Sequence, residues 1–139
     1  MSVHYNEIDI QTGGEVDIVD ITSNVQDVIN NSKIKNGIAC IFVPGSTGTI
    51  TTVEHEPGLM HDIPESLEKI APKNKYYKHH ETWHDDNGHS HVRASLMGPG
   101  ITVPIKDGKV IHGTWQQIVF VEFDTRPRNR NIIVQIVGE

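Results

Sequence analysis

Five of the nine histidines in this 139-residue chain, His79, His80, His84, His89 and His91, fall between positions 79 and 91. Neutral imidazole is the commonest side-chain ligand of zinc and related metals. His89-Ser90-His91 puts two rings two residues apart, which on a strand places both on one face. His79 precedes the intervening loop and can fold back onto that pair. Three histidines leave one coordination position open, the arrangement of catalytic rather than structural zinc. The alternative is a solvated histidine-rich loop. The density of imidazoles favours the metal, so a divalent ion, zinc first, is expected on His79, His89 and His91. Asp85 and Asp86 can orient such rings, but Asp85-Asp86-Asn87-Gly88 is also rich in turn formers, and the turn is the preferred reading.

Other residues could serve the same chemistry. Glu54 and Glu56 alternate onto one face, where a carboxylate supplies a ligand or a general base; equally, both can open the helix that follows. Pro44-Gly45-Ser46-Thr47-Gly48 is a glycine-rich turn whose hydroxyls and amides can meet a phosphate. It carries no lysine at P-loop spacing, and no G-x-G-x-x-G is present. Trp115 beside Gln116 can stack on and hydrogen-bond a flat ring, or simply start a strand in the core. Arg126, Arg128 and Arg130 form a local basic segment, read as a solvated loop ahead of a phosphate site.

The elements that must position these residues alternate between the two periods. Val3–Ile10 and Val16–Ile21 read as strands. Thr22 or Ser23 caps a helix reaching Ile34, with Val25, Val28 and Ile29 on one face and Gly37 as its C-terminal stop. Ile38–Val43 is a continuous apolar run, expected to be a central buried strand with Cys40 inside. Thr49–Val53 follows as a strand. Pro57–Ala71 is helical, with Pro64 expected to break or kink it and Asp62 as a possible cap. His91–Met97 fits either a short helix or a strand. Asp107-Gly108 between two apolar runs is a type I′ hairpin signal, and Pro104 points to an edge or bulge. Two further strands, Trp115–Phe123 and Ile132–Val137, complete a single α+β domain over residues 1–139.

Composition narrows the function. Lys and Arg number 12 against 18 Asp and Glu, a formal charge of −6, which argues against broad binding to nucleic acid or anionic membrane. No apolar stretch reaches spanning length, and no signal-peptide pattern opens the chain. The single cysteine rules out an intrachain disulfide and fits a reducing cytoplasm.

Several segments in order carry a resemblance. They are Val43-Pro44-Gly45-Ser46-Thr47-Gly48, Glu54-His55-Glu56-Pro57-Gly58-Leu59, His89-Ser90-His91-Val92-Arg93-Ala94-Ser95-Leu96-Met97-Gly98 and Gly113-Thr114-Trp115-Gln116-Gln117-Ile118. Together they resemble the YjbQ-like family, often described as secondary thiamine-phosphate synthases. The resemblance spans Ile8 to Gly138. It implies an α+β sandwich on a mixed, largely antiparallel sheet, and assembly as a homotrimer. It also implies a site gathering His79 and His91, with Glu54 and Arg93 in catalytic roles. Ser46, Thr47, Thr114, Trp115 and Gln116 would hold a small-molecule substrate of phosphorylated type. His89 is a feature of only some members. The implied reaction joins a pyrimidine-methyl diphosphate to a thiazole phosphate. Two other readings stand beside it: a metal-dependent hydrolase and a non-catalytic oligomeric metal- or ligand-binding protein.

Overall fold

The computed structural model describes all residues, 1–139. Two antiparallel sheets form its frame. The larger joins β1 (Ser2–Gln11), β8 (Asn129–Gly138), β3 (Gly37–Phe42), β5 (Gly100–Lys106) and β6 (Lys109–Val110) in the order β1-β8-β3-β5-β6. The smaller orders β2 (Asp17–Asp20), β7 (Gln117–Glu122) and β4 (Gly48–Val53) as β2-β7-β4. Every pairing is antiparallel. The expected α+β sandwich is therefore present.

Helix α1 (Thr22–Ser32) lays Val25, Val28 and Ile29 on the main core. That core also takes Ala39 and Ile41 of β3, Val103 and Ile105 of β5, Ile118 and Phe120 of β7, and Ile132, Val134 and Ile136 of β8. The opposite face of the small sheet, with Ile18, Val119 and Val121, packs under Leu67 of α2 (Pro57–Ile70) and Ala94 of α4 (Gly88–Met97). β7 is thus buried on both faces, which is why its sequence runs apolar almost without alternation. Between α2 and α4 lies the short α3 (His79–Trp83).

Four local expectations are corrected. Neither Thr22 nor Ser23 caps α1. The Asp20 carboxylate instead accepts from the Thr22 amide and hydroxyl at 2.9 and 2.7 Å. Lys33, at φ 63°, ends the helix. Gly37 serves close packing: a Cβ there would lie 2.1 Å from the Val137 carbonyl oxygen. α2 runs through Pro64 without ending, and its cap is Glu56, whose carboxylate accepts from Gly58 and Leu59. Cys40 is exposed, not buried. β3 alternates, with Ala39 and Ile41 inward and Ile38, Cys40 and Phe42 outward, because no element of this chain covers the outer face of the large sheet. The hairpin is as expected: Asp107 and Gly108 both take positive φ, 52° and 78°, as a type I′ turn requires.

Candidate functional site

The site forms where α3, the start of α4 and the ends of β4 and β7 meet. α4 settles the open question over residues 91–97 in favour of a helix, and the helix corrects the His89–His91 pairing. At 100° per residue, neighbours two apart point to nearly opposite sides. His89 turns inward, 1% exposed, with Nε2 2.7 Å from the Glu15 carboxylate. Burial by itself would raise the Glu15 carboxyl, but hydrogen bonds from Lys73 and His89 outweigh it and hold the group below its usual range. His89 is a wall of the fold and does not join the imidazole pair.

His91 turns the other way and meets His79, the first residue of α3, with ring centroids 4.4 Å apart and planes tilted by 49°. His79 Nε2 lies 3.5 Å from the Asp85 carboxylate. The Asn87 amide, with its nitrogen toward them, donates to His79 Nε2 at 3.1 Å and to Asp85 Oδ1 at 2.8 Å. Partial burial and the neighbouring His79 depress the His91 pKa, against the opposing pull of Asp85, Asp124 and the Ser46 backbone. His91 is therefore held toward its neutral, proton-accepting and ligating form.

Behind the rings stands a buried polar frame. Thr47, at the mouth of β4, donates to Asp124 at 3.2 Å and accepts from Arg130 at 2.8 Å. Arg130 forks onto Glu122, which also accepts from the Thr12 hydroxyl at 2.7 Å and the Asp124 amide at 3.1 Å. Arg128 pairs with Asp124. Burial would raise the Asp124 carboxyl, but the Thr125 amide, Thr47 and Arg128 together hold it low. The two guanidinium groups of the basic segment are thus taken by carboxylates, and Arg126 alone is left in solvent.

The residues expected to converge are divided. Ser46 is exposed and Thr47 buried, both at the His91 end. Arg93 is 3% exposed; its Nε donates to the Ala71 carbonyl at 3.0 Å and Nη2 to Glu68 at 2.9 Å, tying α4 to the end of α2. That is a structural clamp, turned away from the imidazoles. Glu54 and the Thr114-Trp115-Gln116 run lie at the far end of β4 and β7, since Gly48 pairs with Glu122 and Val53 with Gln117. Six residues of strand separate the two ends, about 17 Å. There Trp115 is 73% exposed, and the Gln116 amide is occupied by Gly113 and Thr52.

Sequence reasoning missed Asn87 and Asp124. Nothing in the local pattern marks Asp124 after an apolar strand; its contacts with Arg128 and with Thr47, 77 residues away in the chain, identify it. Asp85, which the sequence offers first as turn chemistry, is a partner of His79.

The donor set suits a cation. Two imidazoles and the Asp85 carboxylate face one region, and the Asn87 N–H₂ group presents hydrogens to His79 and Asp85 where a cation would be ligated. Their ligand atoms do not all approach within 4.8 Å of one another, so binding would draw them together. A tighter set, His61, Asp62 and Glu65, is fully solvated on α2, where the two carboxylates raise the His61 pKa.

The family model described as UPF0047 protein YjbQ-like matches residues 6–139. A UPF0047 protein of Methanocaldococcus jannaschii is 43% identical over 131 residues, covering 94% of this chain and 91% of that protein. One from Methanothermobacter thermautotrophicus is 41% identical, covering 100% and 95%. Among solved structures, a YbjQ-like protein of unknown function from Sulfolobus solfataricus superposes with a TM-score of 0.93 at 39% identity, covering 99% of each chain. A hypothetical protein from Aeropyrum pernix gives 0.91 at 29% identity, over 98% and 99%. This chain belongs to the YjbQ/UPF0047 family.

Proposed function

We propose that this protein is a small-molecule enzyme whose reacting centre is the His79–His91 pair, holding a divalent metal, zinc first, with Asp85 as the third ligand in place of His89. The observation that carries this is the contact of two imidazoles beside a carboxylate, with His91 shifted toward its neutral form. When bound, the metal would supply a Lewis acid for an anionic leaving group. The chain's own part is orientation: Thr47 and Arg128 keep Asp124 ionised behind His91.

The family resemblance supports a phosphorylated substrate and thiamine-phosphate synthesis as an accessible reaction. In that reaction the pyrimidine-methyl C–O bond breaks, diphosphate leaves, and the carbon bonds to the thiazole nitrogen. A hydrolase is the second reading, favoured by the depressed His91 pKa, since a neutral imidazole next to a carboxylate can take a proton from water. We further propose that the protein works as a homotrimer in the cytoplasm. The open outer sheet face supports assembly: Tyr5, Ile38, Phe42, Ile133 and Val137 line an uncovered apolar depression. The exposed free thiol of Cys40 fits a reducing compartment.

Elemental analysis and zinc titration of untagged protein test the centre. One equivalent per chain is expected in the wild type, with loss in His79→Ala and His91→Ala and retention in His89→Ala. Equal zinc in all four would sink the assignment. A light-scattering mass that stays monomeric at every concentration would sink the trimer.

A further inference from the structure

Asn87 stands immediately before α4, where an asparagine ordinarily caps, its side-chain oxygen accepting an amide hydrogen of the first turn. Here the side chain makes no cap hydrogen bond and points into the candidate centre instead. One end of its amide lies 2.8 and 3.3 Å from the two Asp85 oxygens and 3.1 Å from His79 Nε2. His79 and Asp85 are themselves 3.5 Å apart, so a single amide atom occupies the meeting point of three acceptors. The residue is 9% exposed, which leaves water little room to replace it there.

A side-chain amide donates from its nitrogen and accepts at its oxygen, and both orientations of this one have partners. With the nitrogen toward His79 and Asp85, N–H groups meet the acceptors. Turned over, the amide presents its nitrogen to Asp124, the carboxylate that Thr47 and Arg128 also contact. The reversal therefore does not strand the nitrogen. It does bring the amide oxygen against the His79 nitrogen and the Asp85 carboxylate with no hydrogen between them. Lone-pair atoms that close repel one another unless a cation lies among them. Carbonyl, carboxylate and imidazole are all ordinary ligands of divalent metals. His79 keeps one tautomer throughout, since Nε2 is the unprotonated nitrogen in both arrangements.

We propose that Asn87 is both plug and ligand of the metal centre. Its N–H₂ group fills the empty centre, and a divalent cation turns the amide over. Oδ1 then ligates beside His79 and Asp85 while the nitrogen passes to Asp124. The cation selects the second orientation because it binds that one alone. The inference rests on the metal reading above and adds to it a further donor and a two-state switch.

Side-chain amide NMR of the whole ¹⁵N-labelled protein, titrated with zinc alone, tests it. Asn87→Asp, which lacks the resonance, assigns it. The Asn87 N–H₂ signals are expected to shift saturably, in step with the His79 ring. Calorimetric zinc titration of two variants separates ligand from plug. Asn87→Asp keeps an oxygen ligand and adds charge, so it should bind zinc at least as tightly as the wild type. Asn87→Leu, of similar size but without donor or acceptor, should bind at least about tenfold more weakly. The proposal is overturned if the wild-type Asn87 signals keep their metal-free positions at zinc saturation. It is equally overturned if Asn87→Leu binds zinc as tightly as the wild type, the result for an amide that only plugs. In both cases zinc still binds and the metal reading stands. A wild type that takes up no zinc overturns the metal reading and this inference with it. The wild-type titration decides without either variant, should one fail to fold.

Discussion

His89 and His91 stand two residues apart on α4 and end in opposite surroundings. His89 is sealed, its Nε2 committed to Glu15. His91 is half-buried, packed on another imidazole, and shifted toward its neutral form by that crowding. The same contrast separates the buried Glu122–Arg130 fork from the His79–Asp85 pair nearer the surface. Buried polar groups locked to a charged partner specify the fold, even where one atom, His89 Nδ1, is left without a partner; a half-exposed group that burial and a like neighbour destabilise in its charged form is available for chemistry.

The largest expected effect breaks the structural side of this comparison. Arg130→Met leaves Glu122, 0% exposed, without its counter-ion. It also frees Thr47, which holds Asp124. Stranding one charge of a buried pair costs about 3–5 kcal/mol. Urea unfolding should show that loss. A change near zero would mean the fork is dispensable to the fold.

Next comes the direct contrast within α4. His89→Ala removes a fully buried ring and leaves Glu15 with Lys73 alone, so a loss of about 2–4 kcal/mol is expected, with zinc uptake intact. His91→Ala should cost about 1 kcal/mol or less and abolish zinc uptake and any turnover. Melting must compare samples in the same metal state, because bound metal raises stability by mass action. His84→Ala, on the exposed αL residue that ends α3, should change neither quantity. If His91→Ala melts like His89→Ala while keeping its zinc, the two histidines share one structural role.

How far this contrast was legible beforehand depends on period. The strands, α1, the type I′ hairpin and the family could be read because alternation, turn chemistry and motif order are local. Placing His89 with His91 failed because two spacings were open for residues 91–97 and the strand spacing underlay the pairing; a helix turns that pair apart. Arg93 looked catalytic by motif alone, but its partners Glu68 and Ala71 come from the other end of α2. Cys40 looked buried because an apolar run cannot announce that one sheet face lacks a cover. Asp124 and Asn87 could not be found at all, since their roles depend on contacts with Thr47 and His79 that only the tertiary fold brings together.

The smallest expected effect sharpens the comparison through pH. Burial and His79 lower the His91 pKa from its ordinary 6.5. In the unfolded chain the ring regains that value. Below about pH 6.5 the unfolded state therefore binds a proton that the folded state resists, and stability falls with acidity until pH drops below the folded-state pKa. Asp124 is also depressed, from 3.8, so its contribution is complete above that value and is lost as pH falls further through its folded pKa. The two act in the same direction but in separate windows, His91 in the mildly acidic range and Asp124 in the strongly acidic one. His91→Gln removes the upper window and spares the lower. Unfolding free energy measured in steps from pH 8 to pH 3, without metal, should show a shallower slope between pH 6.5 and 5 in His91→Gln than in the wild type. Below pH 4 the two should descend together. Parallel curves across the whole range would mean that the fold does not resist protonation of His91, and the case for a neutral imidazole at this site would go with it.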